Sequence, residues 1–250
     1  MKTFWLSASI VFLAVLPVKA QVASDNASNY ASWISGSNGG TGFGAWNLYT
    51  SGNGSTGFFR ASSVGDGFGN TDTSGNSFGM FGNPAGLTYA NAERSLSTAL
   101  AIGNSFSINL AIAFRNGNKG ISLFNGGGFS SEVWNFNVGG DTYSAGGAGQ
   151  SWAYSQTSVF SLTATQTSAT NLFVQLQRGS DLYTSNVTVG SALTGFRLYV
   201  GSTDDGNALN NLYFNNLSVV PEPSTGALLL GGMVVLAGLR CSLNRSRSSS

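Results

Sequence analysis

"SFSINLAIAF", Ser105 to Phe114, alternates without a break: Phe106, Ile108, Leu110, Ile112 and Phe114 share one face, and Ser105, Ser107, Asn109, Ala111 and Ala113 the other. Sustained alternation with a period of two marks a β-strand with one side in a core. "RNGNKG" follows with an Asn-Gly turn signal at Asn116 and Gly117, and "ISLFN" then resumes the pattern. That order predicts a hairpin. The alternation recurs in "EVWNFNV" (Trp134, Phe136, Val138), "VFSLTAT" (Phe160, Leu162, Ala164) and "NLFVQLQR" (Leu172, Val174, Leu176). A turn at Gly179 to Asp181 leads into "LYTSNVTV", and "GFRLYVG" and "NLYFNNLSVV" close the series. About eight strands after residue 104, at these intervals, predict an all-β antiparallel sandwich.

The N-terminal half is richer in glycine and repeats a loose Gly-Phe-Gly figure at Phe43, Phe68 and Phe78 with irregular spacing, so it reads as short strands and long loops rather than a solenoid. "NAERSLSTAL", Asn91 to Leu100, has the only helical leaning.

Composition agrees with this. There are 35 glycines in 250 residues, and only 8% of residues are charged, against a usual share of about 25%. Glycine and asparagine supply turns, while aromatic and β-branched residues suit a pleated surface. An aromatic content of 12% argues for a packed core rather than disorder. The chain has no histidine, and its one cysteine, Cys241, lies near the C-terminus. Ser-His-Asp and Cys-His catalysis, His/Cys zinc sites and disulfides within the body are therefore excluded. Between residues 21 and 220 nine acids face six bases, and a weakly acidic body without a basic stripe is no partner for nucleic acid.

Both ends stand apart from this body. "MKTFWLSASIVFLAVLPVKA" carries Lys2, an apolar stretch from Phe4 to Leu16, and Val18 and Ala20 at the small positions of a cleavage site. Residues 1–20 thus read as a signal peptide cleaved between Ala20 and Gln21, with an apolar stretch too short to span a membrane. At the other end, "VVPEPSTGALLLGGMVVLAGLRCSLNRSRSSS" joins a Pro-Glu-Pro triplet to an uncharged run, Gly226 to Leu239, and then to Arg240, Arg245 and Arg247. Pro221 and Pro223 are expected to break the preceding strand. The run predicts a short transmembrane helix over 225–239, with the arginines of 240–250 held in the cytoplasm. The sandwich is thereby assigned to 21–219 and the terminal signal to 220–250.

These terminal residues resemble the PEP-CTERM sorting signal of exported proteins in Gram-negative bacteria: "VPEPST", a short transmembrane helix and a basic end. The resemblance implies export through the Sec translocon and transient residence in the inner membrane. It also implies recognition of Pro221, Glu222 and Pro223 by an exosortase, which processes the tail and delivers the body to the cell surface or the extracellular matrix, often alongside exopolysaccharide. The basic end departs from the usual compact arginine cluster, because "CSLN" separates Arg240 from Arg245. The body, from about residue 40 to 219, resembles secreted bacterial domains of the concanavalin A-like jelly-roll kind. The residues that carry this are "GFGAW", "SFGMFGNPAG", an arginine followed by "LSTALAIGNSFSINLAIAF", and "FRLYVGSTDDGNALNNLYFNNLSVV".

The expected role is adhesive or structural, with carbohydrate binding as the alternative and a glycan-acting enzyme as a third reading. Trp33, Trp46, Trp134, Trp152 and Tyr154 are the candidate aromatics for stacking on sugar rings. Trp134 shares a face with Phe136 and Val138 and reads as core, whereas Trp152 and Tyr154, at i and i+2, read as one open face. Glycoside hydrolysis needs two carboxylates about 5–9.5 Å apart, yet Glu93 and Glu132 stand isolated in sequence and no enzyme is expected. In "TDDGNALNN" the oxygens of Asp204, Asp205 and Asn207 suit calcium, but the same residues are those a tight turn selects, and the turn is the preferred reading. The Asn-x-Ser/Thr matches at Asn26, Asn53, Asn186 and Asn216 are taken as chance in a sequence rich in asparagine and serine.

Overall fold

The computed structural model describes residues 22–221 apart from 84, 85, 87, 127, 128, 141, 205 and 206. The described residues fall within one unit, Gln21–Pro221. The predicted signal peptide, its Ala20/Gln21 junction, Glu222, Pro223, the helix at 225–239 and the basic end at 240–250 all lie outside the described residues.

The strands are β1 (Ala23–Asp25), β2 (Asn47–Ser51), β3 (Ser55–Ala61), β4 (Ser77–Asn83), β5 (Tyr89–Ser95), β6 (Asn104–Ile112), β7 (Asn118–Asn125), β8 (Glu132–Gly139), β9 (Thr142–Ala145), β10 (Ala148–Gln150), β11 (Val159–Ser168), β12 (Asn171–Arg178), β13 (Asp181–Thr188), β14 (Leu193–Gly201) and β15 (Leu212–Pro221). One sheet runs β13-β12-β11-β6-β15-β4-β3, with β1 added beside β15, and the other runs β10-β9-β8-β7-β14-β5-β2. Neighbouring strands are antiparallel throughout, which makes a jelly-roll-like sandwich.

The alternation that predicts the strands also fills the core. Phe106, Ile108 and Leu110 of β6, Phe160 and Leu162 of β11 and Leu172, Val174 and Leu176 of β12 meet Ile121, Leu123, Phe136, Val138, Phe196 and Leu198 from the opposite sheet, all at 1% exposure or less. The two layers touch through ring pairs: Phe106 stacks on Phe196 with centroids 4.8 Å apart, and Phe136 meets Phe160 at 4.9 Å. Such pairs add about 0.5–1.5 kcal/mol each beyond their buried area.

Four expectations are corrected. β6 and β7 are not a hairpin: β6 pairs with β11 and β15, and β7 with β14 and β8, so the chain changes sheet between them. The Asn-Gly signal does mark a reversal of the backbone, since Gly117 has φ +65° and its α-carbon faces the Gly201 carbonyl too closely for a side chain. A bend of this kind is equally a corner between layers. The stretch with helical leaning begins as β5, paired with β14 and β2, because its alternate Ala90 and Ala92 are fully buried. β9 and β10, hidden in "DTYSAGGAGQ", bring the strands after residue 103 to ten among the described residues, against about eight expected. Pro221 does not break the last strand but completes it, opposite Asn104, where the ladder ends and no further N–H is needed.

One end of the core is closed by the segment between β1 and β2. Trp33, Trp46, Phe78 and Phe214 form an aromatic cluster in which Trp33 lies 4.8 Å from Phe78 and 5.5 Å from Phe214. Arg94 of β5 points inward beside it, with its guanidinium 4.8 Å from the Phe43 ring and 4.7 Å from Trp46.

Candidate functional site

The strand register assigns the outward-facing positions of the seven-stranded sheet to rows. One row runs Asn47, Glu93, Arg197, Ser122, Asn135 across β2, β5, β14, β7 and β8. The next runs Tyr49, Asn91, Tyr199, Gly120, Asn137, Ser144, and the third Ser51, Tyr89, Gly201, Asn118, Gly139, Thr142. Adjacent strands lie about 4.8 Å apart, so these side chains form a regular array of donors and acceptors. Tyr89, Asn91, Asn118, Ser122, Asn135, Asn137, Ser144, Arg197 and Tyr199, with Glu132 at the rim, line an open depression of about 480 Å³.

Two hydrogen-bonded groups give this face its order. Glu93, buried at 6% exposure, accepts from Arg197 Nε at 2.7 Å, Tyr49 Oη at 2.8 Å and Asn47 Nδ2 at 3.0 Å. Burial, reinforced by the bond to Glu93, raises the Tyr49 phenol above its ordinary range. The second group centres on Tyr199, whose ring lies across the sheet. Its hydroxyl accepts from Asn135 Nδ2 at 2.9 Å and stands 3.0 Å from Asn137 Oδ1 and 3.2 Å from the Phe136 carbonyl, either of which can take its proton. Asn137 continues the chain to Asn118, and Asn118 to Tyr89, each at 3.3 Å. Burial holds the Tyr199 phenol well above the ordinary tyrosine range, so it remains a neutral donor over the whole working pH range.

Gly120 makes room for this arrangement. A Cβ there would stand 1.8 Å from the Phe136 carbonyl oxygen and 3.0 Å from the Tyr199 hydroxyl. Gly120→Ala is expected to cost about 1–3 kcal/mol in urea unfolding through overpacking and to dislodge Tyr199, which tyrosine ring resonances in NMR spectra would report.

What remains unpaired is what a ligand meets. Among the described residues Asn91, Ser144 and the Glu132 carboxylate have no hydrogen-bond partner in the protein, and Tyr89 and Asn135 keep spare capacity beyond the bonds given above. Glu93 and Glu132 lie three strand spacings apart across β5, β14, β7 and β8, about 14 Å at the usual 4.8 Å per step. A hydrolase pair needs at most about 9.5 Å.

The residues singled out from sequence are dispersed. Trp33, Trp46 and Trp134 are buried at 4%, 1% and 4% exposure and have no ring face free for a ligand; of the three, only Trp134 was expected in the core. Trp152 and Tyr154 do not share an open face, because residues 151–155 form no strand and the i, i+2 rule does not apply. Trp152 packs against the core, stacked on Phe160 at 6.2 Å, while Tyr154 is 47% exposed. In the loop before β15, Asp204 Oδ2 accepts from Asn116 at 2.7 Å, and Asn207 Oδ1 caps the short 3-10 turn Ala208–Asn210 through Leu209 N at 3.0 Å. Asp205 lies outside the described residues, and among those described no group of three metal-ligating side chains occurs. The polar rows were missed in the sequence although a signal exists: Tyr89-x-Asn91-x-Glu93, Asn135-x-Asn137 and Arg197-x-Tyr199 are the outward phase of the same alternations that mark the core.

No protein-family model and no curated protein matches the chain. Solved structures that align with it include a toad ovary galectin in complex with thio-digalactose, at 12% identity over 52% of this chain and 97% of that one with a TM-score of 0.34. Alginate lyase AlgAT5 from polysaccharide lyase family 7 aligns at 11% identity, 61% and 82% coverage and a TM-score of 0.39. The metal-free carbohydrate recognition domain of Emp46p aligns at 12%, 59%, 83% and 0.37. At these scores the alignments carry no argument about ligand or reaction, and the architecture is read from the strands themselves.

Proposed function

We propose that the protein is an exported, non-catalytic carbohydrate-binding protein that holds an uncharged polysaccharide across the outer face of the seven-stranded sheet. The observation that supports this is the array of outward-facing amide, hydroxyl and phenol groups at strand spacing around an open depression, in which Asn91 and Ser144 are unpaired and Tyr89 and Asn135 keep spare capacity. Sugar hydroxyls both donate and accept, and so do asparagine, serine and tyrosine side chains. The charge on this face favours a neutral chain: Glu93 and Arg197 offset one another, which leaves Glu132 to repel a polyanion. The wide separation of the two carboxylates supports binding without hydrolysis. Delivery is assigned to the signal peptide and to the PEP-CTERM-like end with its exosortase, which place the body at the cell surface or in the matrix.

Affinity electrophoresis of the protein in gels containing neutral or acidic polysaccharides tests the reading. Retardation by a neutral polysaccharide is expected, with at least a tenfold loss of affinity in Asn135→Ala, equivalent to about 1.4 kcal/mol, and no release of reducing ends. Equal retardation of Asn135→Ala, or reducing-end release abolished by Glu93→Gln, would overturn it.

A further inference from the structure

A second recess, of about 300 Å³, is lined by Phe114, Arg115, Asn116 and Tyr154 and shares no residue with the polar face described above. Arg115 is a cation without a counter-charge: among the described residues it forms neither an ion pair nor a hydrogen bond, and its Nε is buried with no partner. The other arginines of the core and its margins are engaged, Arg94 with Asp25, Arg178 with Asp181 and Arg197 with Glu93. The Arg115 guanidinium is nonetheless held in place, 5.5 Å from the Tyr143 ring centroid and 5.1 Å from that of Tyr154. Arg178, which also lies over Tyr143 at 5.0 Å, donates to the Ala153 carbonyl at 2.6 Å and thereby fixes the segment that carries Tyr154. Lys119 donates to the Asn116 carbonyl at 2.5 Å and so fixes the segment that carries Arg115.

A positioned guanidinium with its donors unused is a site for a planar anion. The half-exposed ring of Tyr154 beside it is a platform on which a sugar ring can lie. We propose that this recess binds the carboxylate-bearing unit of an acidic saccharide, with Arg115 paired to the carboxylate and Tyr154 stacked on the ring. The inference does not rest on the neutral-glycan reading of the polar face.

The test is titration of the full-length protein with a galacturonate oligomer, a neutral galactose oligomer, acetate and sulfate, followed by isothermal calorimetry and by the NMR signal of the Arg115 Nε–H. The galacturonate oligomer is expected to bind saturably and to shift that signal, with affinity falling as salt rises. At least a tenfold loss is expected in Arg115→Gln and in Tyr154→Ala, a smaller loss in Arg115→Lys, and no change in Asn135→Ala. Tyr154 is exposed, so its variant keeps the test valid should Arg115→Gln fail to fold. Failure of the galacturonate oligomer to bind, binding unchanged in Arg115→Gln and Tyr154→Ala, or acetate or sulfate binding as tightly as the oligomer would each overturn the proposal. Loss of neutral-glycan binding in Asn135→Ala with galacturonate binding intact would separate the two sites.

Discussion

Arg94→Met is expected to lower the unfolding free energy by about 3–5 kcal/mol, the usual cost of removing one partner from a buried ion pair. Arg94 and Asp25 are both within 1% of full burial and are directly paired. Asp25 Oδ2 also accepts from Tyr30 Oη at 2.5 Å, and Oδ1 from Asn26 N at 2.8 Å and Asn29 Nδ2 at 3.0 Å. Arg94 donates to the Gly44 carbonyl at 2.8 Å and to Asn38 Oδ1 at 2.6 Å. One guanidinium thus ties β5 to the end of β1 and to two points of the segment between β1 and β2. Methionine matches much of its length but leaves the Asp25 carboxylate buried with no cation. Since a domain holds only about 5–15 kcal/mol in all, the variant should melt far below the parent, and the loss should appear in urea titrations as a lower midpoint. Arg94→Lys should recover only part of it, because an ammonium cannot reach three acceptors in one plane or stack flat between Phe43 and Trp46. A loss of unfolding free energy under about 1 kcal/mol would show that the aromatic cluster holds this end without the ion pair.

How much of this was legible in the sequence depends on which link of the chain is asked about. The strands β6, β11, β12 and β13 declare themselves, because alternation is a local property and Gly179 supplies the turn between the last two. Strand pairing is not local. The same Asn-Gly bend serves a hairpin or a corner, and only the partners of Ser105–Ile112 and Ile121–Asn125 across the whole sheet decide which. The stretch from Asn91 has its helical leaning because alanine, glutamate and arginine favour helices, yet it opens as a strand whose Glu93 and Arg94 are placed by partners on β14 and β1. The polar face was overlooked for a related reason: Asn, Ser and Tyr facing outward look like ordinary solvated sheet until strand order brings Asn135, Tyr199 and Asn91 side by side. The Trp152 and Tyr154 pairing failed because an i, i+2 spacing carries its usual meaning only within a strand, and residues 151–155 form none.

Lys119→Met is expected to abolish a rise in stability between pH 7 and about 10. Lys119 faces the interior of β7 with no exposed surface, and its Nζ donates to the Asn116 carbonyl at 2.5 Å and to Asn116 Oδ1 at 3.2 Å. Burial drives its pKa down to about 7 from the ordinary 10.5, a fall that the Asp204 charge opposes. Below pH 7 the lysine is charged in both folded and unfolded chains, and the folded state bears the full cost of an ammonium out of water. As pH climbs toward 10.5 the folded lysine is already neutral while the unfolded one still holds its proton. The unfolded chain then binds more protons, and stability increases with pH, by a total on the order of 4 kcal/mol. Above pH 10 the sign reverses. Burial raises the Tyr199 and Tyr213 phenols, with Tyr213 raised further by its bond to Asp66. Unfolded tyrosines ionise there while these two stay protonated, so the folded state binds more protons and loses ground. The parent should therefore be most stable near pH 10. The methionine variant should be flat from pH 7 to 10 and more stable than the parent at pH 7, less whatever the lost bonds to Asn116 contribute. Urea unfolding at pH 6, 8 and 9.5 measures the slope directly. Parent and variant curves that run parallel across that range would mean that Lys119 keeps its proton when folded, held there by Asn116 and Asp204.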